Sequence, residues 1–300
     1  MKKLPMVSVC MITYGHENFI EQAINSVLMQ QTDFDIELIV ANDCSPDNTD
    51  IVIQRILKEN PKASFVRYIK HEKNIGMMPN FLTTINQCKG KYIALCEGDD
   101  YWTDHFKLQK QVDLLENNLE SIGCYHRVEI LNETLKEINY SHIYNEPIAN
   151  ASTIDILKCH FIPTLSLVFR NDKALVFPKW FSESPVGDIP LELLLSLKGN
   201  FKFLEDTMGV YRYSDKGVSS DNDRKMNLIF YRFIKMYSSF NSQTEKKFDD
   251  TIFEVIYQRM RWLKRANQYL LIFKSFRFVN LNSLSKMKKL LLLLVVKNGH

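Results

Sequence analysis

The sequence predicts an α/β fold, a Rossmann-like, mostly parallel sheet flanked by helices, with a C-terminal helical extension. Three observations predict it. Strand-like and helix-like segments alternate through the first 120 residues. Polar clusters fall where three of those strands end. From about residue 222 onward the apolar pattern is helical. Such alternation implies parallel strands joined by right-handed crossovers. A chain of 300 residues fits one large domain or two modest ones, at roughly 100–200 residues each.

The elements follow in order. The run VSVCMITY at 7–14 is apolar and β-rich and reads as a strand. Residues 17–30 carry Phe19, Ile20, Ala23, Ile24, Val27 and Leu28 at helical spacing. Residues 36–41 form a second strand. Ser45, Pro46 and Asp47 then offer a cap, a first-turn proline and a first-turn acid. The helix they open places Val52, Ile53, Ile56 and Leu57 on one face. Residues 65–69 read as a third strand and 79–88 as a third helix, with Gly90 as its C-cap. Residues 92–96 form a fourth strand, continuous and apolar as buried parallel strands are.

After Trp102 the pattern changes. Residues 103–117 predict a helix with Leu108, Val112 and Leu115 inward, and 121–139 a return to strands. Residues 140–163 are irregular. Strands are expected at 165–170, 201–204 and 208–213, with a helix at 188–198. Beyond Asn222, Ile229, Phe233, Met236, Tyr237 and Phe240 share one helical face.

Composition excludes several classes. None of the six cysteines has CxxC spacing, which argues against a zinc knuckle or a thioredoxin-type site. Cys10 and Cys96 sit in apolar runs and read as buried. Met1 to Pro5 lead straight into a strand, so no signal peptide is expected and a cytoplasmic location fits. Neither GxGxxG nor a Walker A sequence occurs, against a dinucleotide dehydrogenase and a P-loop NTPase. No nucleic-acid partner is expected, and an oligomer stays open.

In a parallel sheet, ligands bind beyond the carboxyl ends of the strands. Thr13 with Tyr14, Asn42 with Asp43, and Glu97-Gly98-Asp99-Asp100 fall at those ends. Carboxylates bind hard divalent cations, and Mg²⁺ or Mn²⁺ is held by one or two of them plus substrate phosphates. Adjacent acids at a buried strand end repel one another and call for a cation or a proton. Gly98 would let the backbone bend and a diphosphate approach. Asp43 is either a turn former before Pro46 or a partner for a base or ribose edge. Tyr14 either packs or faces the same base.

These residues resemble a known family. The strings VSVCMITY at 7–14, ANDCSPDNT at 41–49, NIG at 74–76 and CEGDDYW at 96–102 look, in order and spacing, like the opening blocks of glycosyltransferase family 2. The resemblance implies a GT-A fold, a nucleoside diphosphate sugar as donor (most often UDP), a divalent metal (Mn²⁺ or Mg²⁺) and inversion at the anomeric carbon. It makes Asp43 the uracil contact, with Thr13, Tyr14, Asn74 and Asp99 around the nucleotide sugar. Asp99 and Asp100 become the metal pair, and Glu97 stands where the motif usually has its first Asp. Gly187-Asp188 before a helix, then Val210-Tyr211-Arg212, resemble the acceptor-side segment. There Asp188 would be the catalytic base; otherwise it caps the helix. Ser214 stands where relatives often carry a His.

The implied layout is a nucleotide-sugar half at 1–120, an acceptor half of the same domain at 121–220, and a helical extension at 221–300. Residues 140–163 and 178–185 are expected to line the acceptor site. Trp102, Trp180 and Arg212 are the candidate acceptor contacts. The function implied is hexosyl or N-acetylhexosaminyl transfer to a glycan or lipid-linked acceptor in cell-surface polysaccharide synthesis. The alternative is a catalytically inactive sugar-nucleotide or glycan binding protein of the same fold.

Charge is unevenly placed. Residues 255–300 hold ten Lys or Arg and no acid. Leu284, Met287, Leu291 and Leu294 recur there at helical spacing. The apolar run at 290–296 is far short of the about 20 residues a spanning helix needs. The tail is therefore expected either to lie on an anionic membrane, at its inner face, or to pack on protein.

Overall fold

The computed structural model describes residues 4–134, 137–139, 145–172, 175–213 and 223–295. Ser214 lies outside them.

The first third alternates as expected. Strand β1 (Val7–Thr13) leads to α1 (Ile20–Leu28), β2 (Ile36–Asn42), α2 (Thr49–Glu59), β3 (Val66–Lys70), α3 (Met77–Ile85) and β4 (Tyr92–Leu95). Strands β1, β2, β3 and β4 pair in parallel. Helix α1 begins later than its apolar spacing suggests. The His16 and Glu17 amides bond to Thr49 Oγ1 and the Asp47 carboxylate at the start of α2 instead. Helix α3 begins at Met77 because Gly76, at φ 92°, turns the chain there. Gly90 is no C-cap. A Cβ on it would lie 2.5 Å from the Ser8 nitrogen, so β1 passing alongside requires glycine.

The chain continues through β5 (Tyr101–Trp102), α4 (Lys107–Glu116), β6 (Gly123–Asn132), β7 (Glu137–Asn139), β8 (Asn150–Ala151), α5 (Thr153–Lys158), β9 (Val168–Arg170), α6 (Lys179–Ser182), α7 (Asp188–Ser196) and β10 (Phe201–Tyr213). The strands form one sheet in the order β3-β2-β1-β4-β9-β6-β10-β5, with β7 on β6 and β8 on β10. Two separate strands expected near 201 and 208 are one, interrupted by register shifts near Leu204 and Thr207. Strand β9 runs antiparallel between β4 and β6.

Apolar side chains fill both faces of the sheet. Val9, Met11, Ile24, Val27, Val40 and Ile53 belong to one core; Ile39, Phe81, Phe169, Leu191, Tyr237 and Phe240 belong to the other. Helices α8 (Asp223–Gln243), α9 (Asp249–Arg265), α10 (Tyr269–Ser275) and α11 (Leu284–Val295) extend the second core. Within α11, Leu290 and Leu293 are buried, and Lys286 pairs with Asp249 and Asp250 of α9. The opposite side of α11 leaves Leu284, Met287, Leu291 and Leu292 exposed. The tail thus packs on protein through one face and carries a second, exposed apolar one. The Leu294 side chain lies outside the described residues. No helix among the described residues is long and apolar enough to cross a membrane.

Candidate active site

The carboxyl ends of β1, β2 and β4 meet the start of α7 and the end of β10 around one cavity of about 670 Å³. Pockets for small-molecule ligands run about 300–1,000 Å³. Thr13, Tyr14, Asp43, Asn74, Asp99, Asp188 and Arg212 border it, together with Glu97, His16, His160 and Thr164.

Asp43 is nearly buried, and its two oxygens accept the Ile75 and Gly76 amides at 2.7 and 2.9 Å. It therefore anchors the 74–76 turn as well as facing the cavity. Asn74 Oδ1 joins the same turn at the Gly76 amide. Cys44, directly after Asp43, adopts a left-handed φ of 57°, a conformation that costs a non-glycine residue about 1–2 kcal/mol. Tyr14 stands half-exposed at the rim, free to stack on a flat ligand. Thr13 is buried, with Oγ1 3.2 Å from His16 Nδ1.

Glu97, Asp99 and Asp100 each place a carboxylate oxygen within 4.8 Å of the other two. Asp100 Oδ1 accepts the Arg212 backbone amide at 2.8 Å, while Oδ2 is buried with no hydrogen-bond partner among the described residues. Buried polar atoms are rarely left so. Burial and the charges of Asp99 and Glu97 hold the Asp100 carboxyl well above the carboxylate range, against the opposing pull of Arg212. Burial, with Asp99 and Asp188, pushes Glu97 up to about 8. Three convergent oxygen donors, one of them orphaned, fit a hard divalent cation such as Mg²⁺ or Mn²⁺. His16 adds an imidazole 3.7 Å from Asp99. Gly98 is required for a reason other than ligand approach. A Cβ there would sit 2.6 Å from Thr13 Oγ1, so the acidic turn packs directly on β1.

Arg212 braces this turn. Its guanidinium reaches Glu133 at 2.8 Å, the Asp99 carbonyl and Gln22, and lies over the Phe19 and Tyr101 rings. These bonds leave it little freedom to bind an acceptor.

Asp188 opens α7. Its Oδ1 accepts the Ile189 amide at 2.8 Å and its Oδ2 the Thr164 hydroxyl at 3.2 Å. Gly187 takes the N-cap place, so Asp188 is the first helical residue and not the cap.

Two expected acceptor contacts lie elsewhere. Trp102 is 1% exposed; its Nε1 donates to the Leu165 carbonyl at 2.9 Å, and the buried Lys107 ammonium stacks 3.9 Å from its ring. Trp180 packs on Phe181 and Phe240, and its Nε1 donates to Gln243. Neither borders the cavity. Trp102 is a core residue, and Trp180 is partly buried against the core. His16, His160, Thr164 and Glu192 escaped sequence reasoning. Only His16, two residues beyond Tyr14, carried a positional signal.

Known proteins resemble this chain in sequence and in fold. Residues 8–172, more than half of the chain, match the description Glycosyl transferase family 2. The uncharacterized protein Rv1520 of Mycobacterium tuberculosis is 32% identical over 226 residues, which cover 73% of this chain and 62% of that protein. The chain thus spans less than two thirds of that relative's length. An uncharacterized glycosyltransferase of Methanocaldococcus jannaschii, MJ1057, is 34% identical over 238 residues, covering 78% of this chain and 79% of its own. Among solved structures, Staphylococcus aureus TarS 1-349 in complex with UDP-GlcNAc superposes with a TM-score of 0.59 at 16% identity, covering 96% of this chain and 79% of that one. The mannosyltransferase PcManGT of Pyrobaculum calidifontis, in complex with GDP-Man and Mn²⁺, does so at 0.57 and 14%, covering 97% and 79%. The sheet order, the acids at its strand ends and the match across residues 8–172 agree: the chain belongs to glycosyl transferase family 2 and has the GT-A fold.

Proposed function

We propose that this protein is an inverting, divalent-metal-dependent glycosyltransferase. It moves a hexosyl or N-acetylhexosaminyl group from a nucleoside diphosphate sugar, in the first instance a UDP-sugar, to a hydroxyl of a glycan or lipid-linked acceptor in cell-surface polysaccharide synthesis. One observation carries the reading. Glu97 and Asp99 border the same cavity as Asp188, whose charge helps raise the Glu97 pKa, and the buried Asp100, which does not itself border the cavity, has a carboxylate oxygen within 4.8 Å of theirs.

Each side chain has a role in it. Tyr14 stacks on the base, and Asp43 receives a base N–H on a lone pair that the Ile75 and Gly76 amides leave, since each carboxylate oxygen accepts more than one bond. Asp100, with Asp99 and Glu97, would hold Mn²⁺ or Mg²⁺, whose charge would offset that of the departing diphosphate. Asp188 takes the proton of the acceptor hydroxyl, whose oxygen attacks the anomeric carbon from the face opposite the leaving group. No second acid is required, because a diphosphate leaves as an anion. TarS with UDP-GlcNAc and PcManGT with GDP-Man and Mn²⁺ support a donor and metal of this kind.

The tail supports work at the inner face of a membrane. Beside the exposed Leu284, Met287, Leu291 and Leu292, the residues Arg261, Arg265, Lys274 and Lys288 are exposed. Each contributes about 1 kcal/mol near an anionic surface.

Asp188→Asn tests the base. With UDP-GlcNAc and Mn²⁺, release of UDP should fall at least about 100-fold while UDP affinity changes less than about twofold. Normal turnover in that variant would remove Asp188 from the chemistry. Glu183, Glu205 and Asp206 could not replace it, because they pair with Lys235, Arg127 and Lys110 and do not border the cavity.

A further inference from the structure

We propose that His160 is a positioning residue for the transfer reaction. Its imidazole is wedged between Asp188 and the buried Glu192 and holds the Asp188 carboxylate toward the acceptor hydroxyl. The inference rests on the reading of Asp188 as the base.

Helix α7 sets Asp188 and Glu192 one turn apart on the same face. His160 lies just beyond α5, where its carbonyl accepts both the backbone and side-chain N–H groups of Asn145, at 3.0 and 2.7 Å. That double anchor brings its Nε2 to 3.7 Å from Asp188 Oδ2 and 3.9 Å from Glu192 Oε1. Neither distance is a hydrogen bond, and a small rotation of the ring closes either. Which one closes depends on charge. Glu192 is almost fully buried, and burial with the nearby Asp188 charge raises its carboxyl well above the usual carboxylate range, which favours the neutral acid. A neutral acid accepts more weakly than a carboxylate. With its proton on Nε2, the ring therefore turns toward Asp188, and Glu192 forms the back wall.

Among the described residues, the tyrosines facing this pair have partners of their own. Tyr125 of β6 shares its hydroxyl with the Ile148 backbone. The hydroxyl of Tyr237, on α8, accepts from Arg259 of α9. Glu97, at the end of β4, is pushed up to about 8 and so keeps its proton at neutral pH, while the two Asp188 oxygens take the Ile189 amide and the Thr164 hydroxyl. Asp188 is then held at Oδ1 by the Ile189 amide and at Oδ2 by Thr164 and His160, which fixes its plane. A base must be placed this closely, because a misplacement of about 1 Å can cost about 100-fold in rate.

His160→Leu removes the donor at similar volume, and His160→Gln returns a neutral N–H. With UDP-GlcNAc, Mn²⁺ and water as acceptor, the leucine variant should lose about 10- to 100-fold in kcat with KM within about twofold. The glutamine variant should recover much of that loss. In an Asp188→Asn background, His160→Leu should cost nothing more. Additive losses, a loss confined to KM, or no rescue by glutamine would overturn the positioning role. An Asp188→Asn variant that turns over normally would overturn the base assignment, and this proposal with it. Crystal structures decide independently of turnover. Asp188 should leave the Thr164 hydroxyl in His160→Leu and keep it in His160→Gln, and an unmoved carboxylate in both would refute the proposal.

Discussion

The acidic turn at 97–100 should weaken the fold when no cation is supplied, and Glu97→Gln should relieve it. Glu97 ordinarily ionises near 4.5; in the folded chain it is pushed up to about 8 by burial, Asp99 and Asp188. An acid whose pKa rises on folding stabilises the native state while protonated. That stability is present below about pH 4.5 and is lost as pH climbs through 8. At about 1.4 kcal/mol per pH unit, the upper limit is about 5 kcal/mol. Glu97 keeps part of its surface, so screening leaves about 2 kcal/mol as the working figure. For a chain of 300 residues, at about 2.1 cal/mol/K of unfolding entropy per residue, that is about 3 °C in Tm. The assay is thermal melting from pH 5 to 8.5, in EDTA and in Mn²⁺. In EDTA the variant should melt with the wild type near pH 5 and about 3 °C above it at pH 8.5. In Mn²⁺ the gap should close or reverse, because the cation replaces the missing proton. A variant melting at or below the wild type at pH 8.5 in EDTA would refute the reasoning.

Further outcomes follow from the same contacts. Trp102→Ala should destabilise by about 3–5 kcal/mol in chemical denaturation and weaken no acceptor selectively, because Trp102 is core. Arg212→Lys cannot span Glu133, the Asp99 carbonyl and Gln22 together; a loss of about 2–3 kcal/mol and weaker Mn²⁺ affinity by calorimetry are expected. Glu192→Gln should leave kcat within about threefold, since the side chain already works as a neutral acid; a 100-fold loss would show that its charge is needed. On α11 the two faces should separate. Leu284→Asp with Leu291→Asp should abolish binding to anionic vesicles with little change in Tm, whereas Lys286→Ala should cost about 3 kcal/mol by breaking the pair with Asp249.

The half of the fold that local chemistry dictates was legible in the sequence. Strands β1, β2 and β4 are largely apolar runs of the right length, and the acids that follow β2 and β4 stand out against them. Tertiary effects hid the rest. Strand β10 reads as two strands because shifts near Leu204 and Thr207 break its pattern, and only pairing with β6 makes it one. Trp102 and Trp180 cannot be told from sugar-stacking residues by composition, since their packing is decided by Leu165 and Phe240 from distant parts of the chain. His160 lies in a segment without periodicity, 28 residues before Asp188, and nothing local links it to α7. Asp43 illustrates a third case. Its position was legible, but its bonds to the 74–76 turn required the fold.

The central claim is that the acids ending β4 hold a cation which in turn holds the donor diphosphate. Isothermal titration of UDP into the wild type and Asp100→Ala, each in Mn²⁺ and in EDTA, tests it most directly. Asp100 Oδ2 has no hydrogen-bond partner among the described residues and is the oxygen left for a cation, while Oδ1 takes the Arg212 amide. The wild type should bind UDP at least about 10-fold more tightly in Mn²⁺, a difference of about 1.4 kcal/mol, and Asp100→Ala should bind equally weakly in both. Equal affinity of the wild type in Mn²⁺ and in EDTA, or a metal response that survives in Asp100→Ala, would contradict the account.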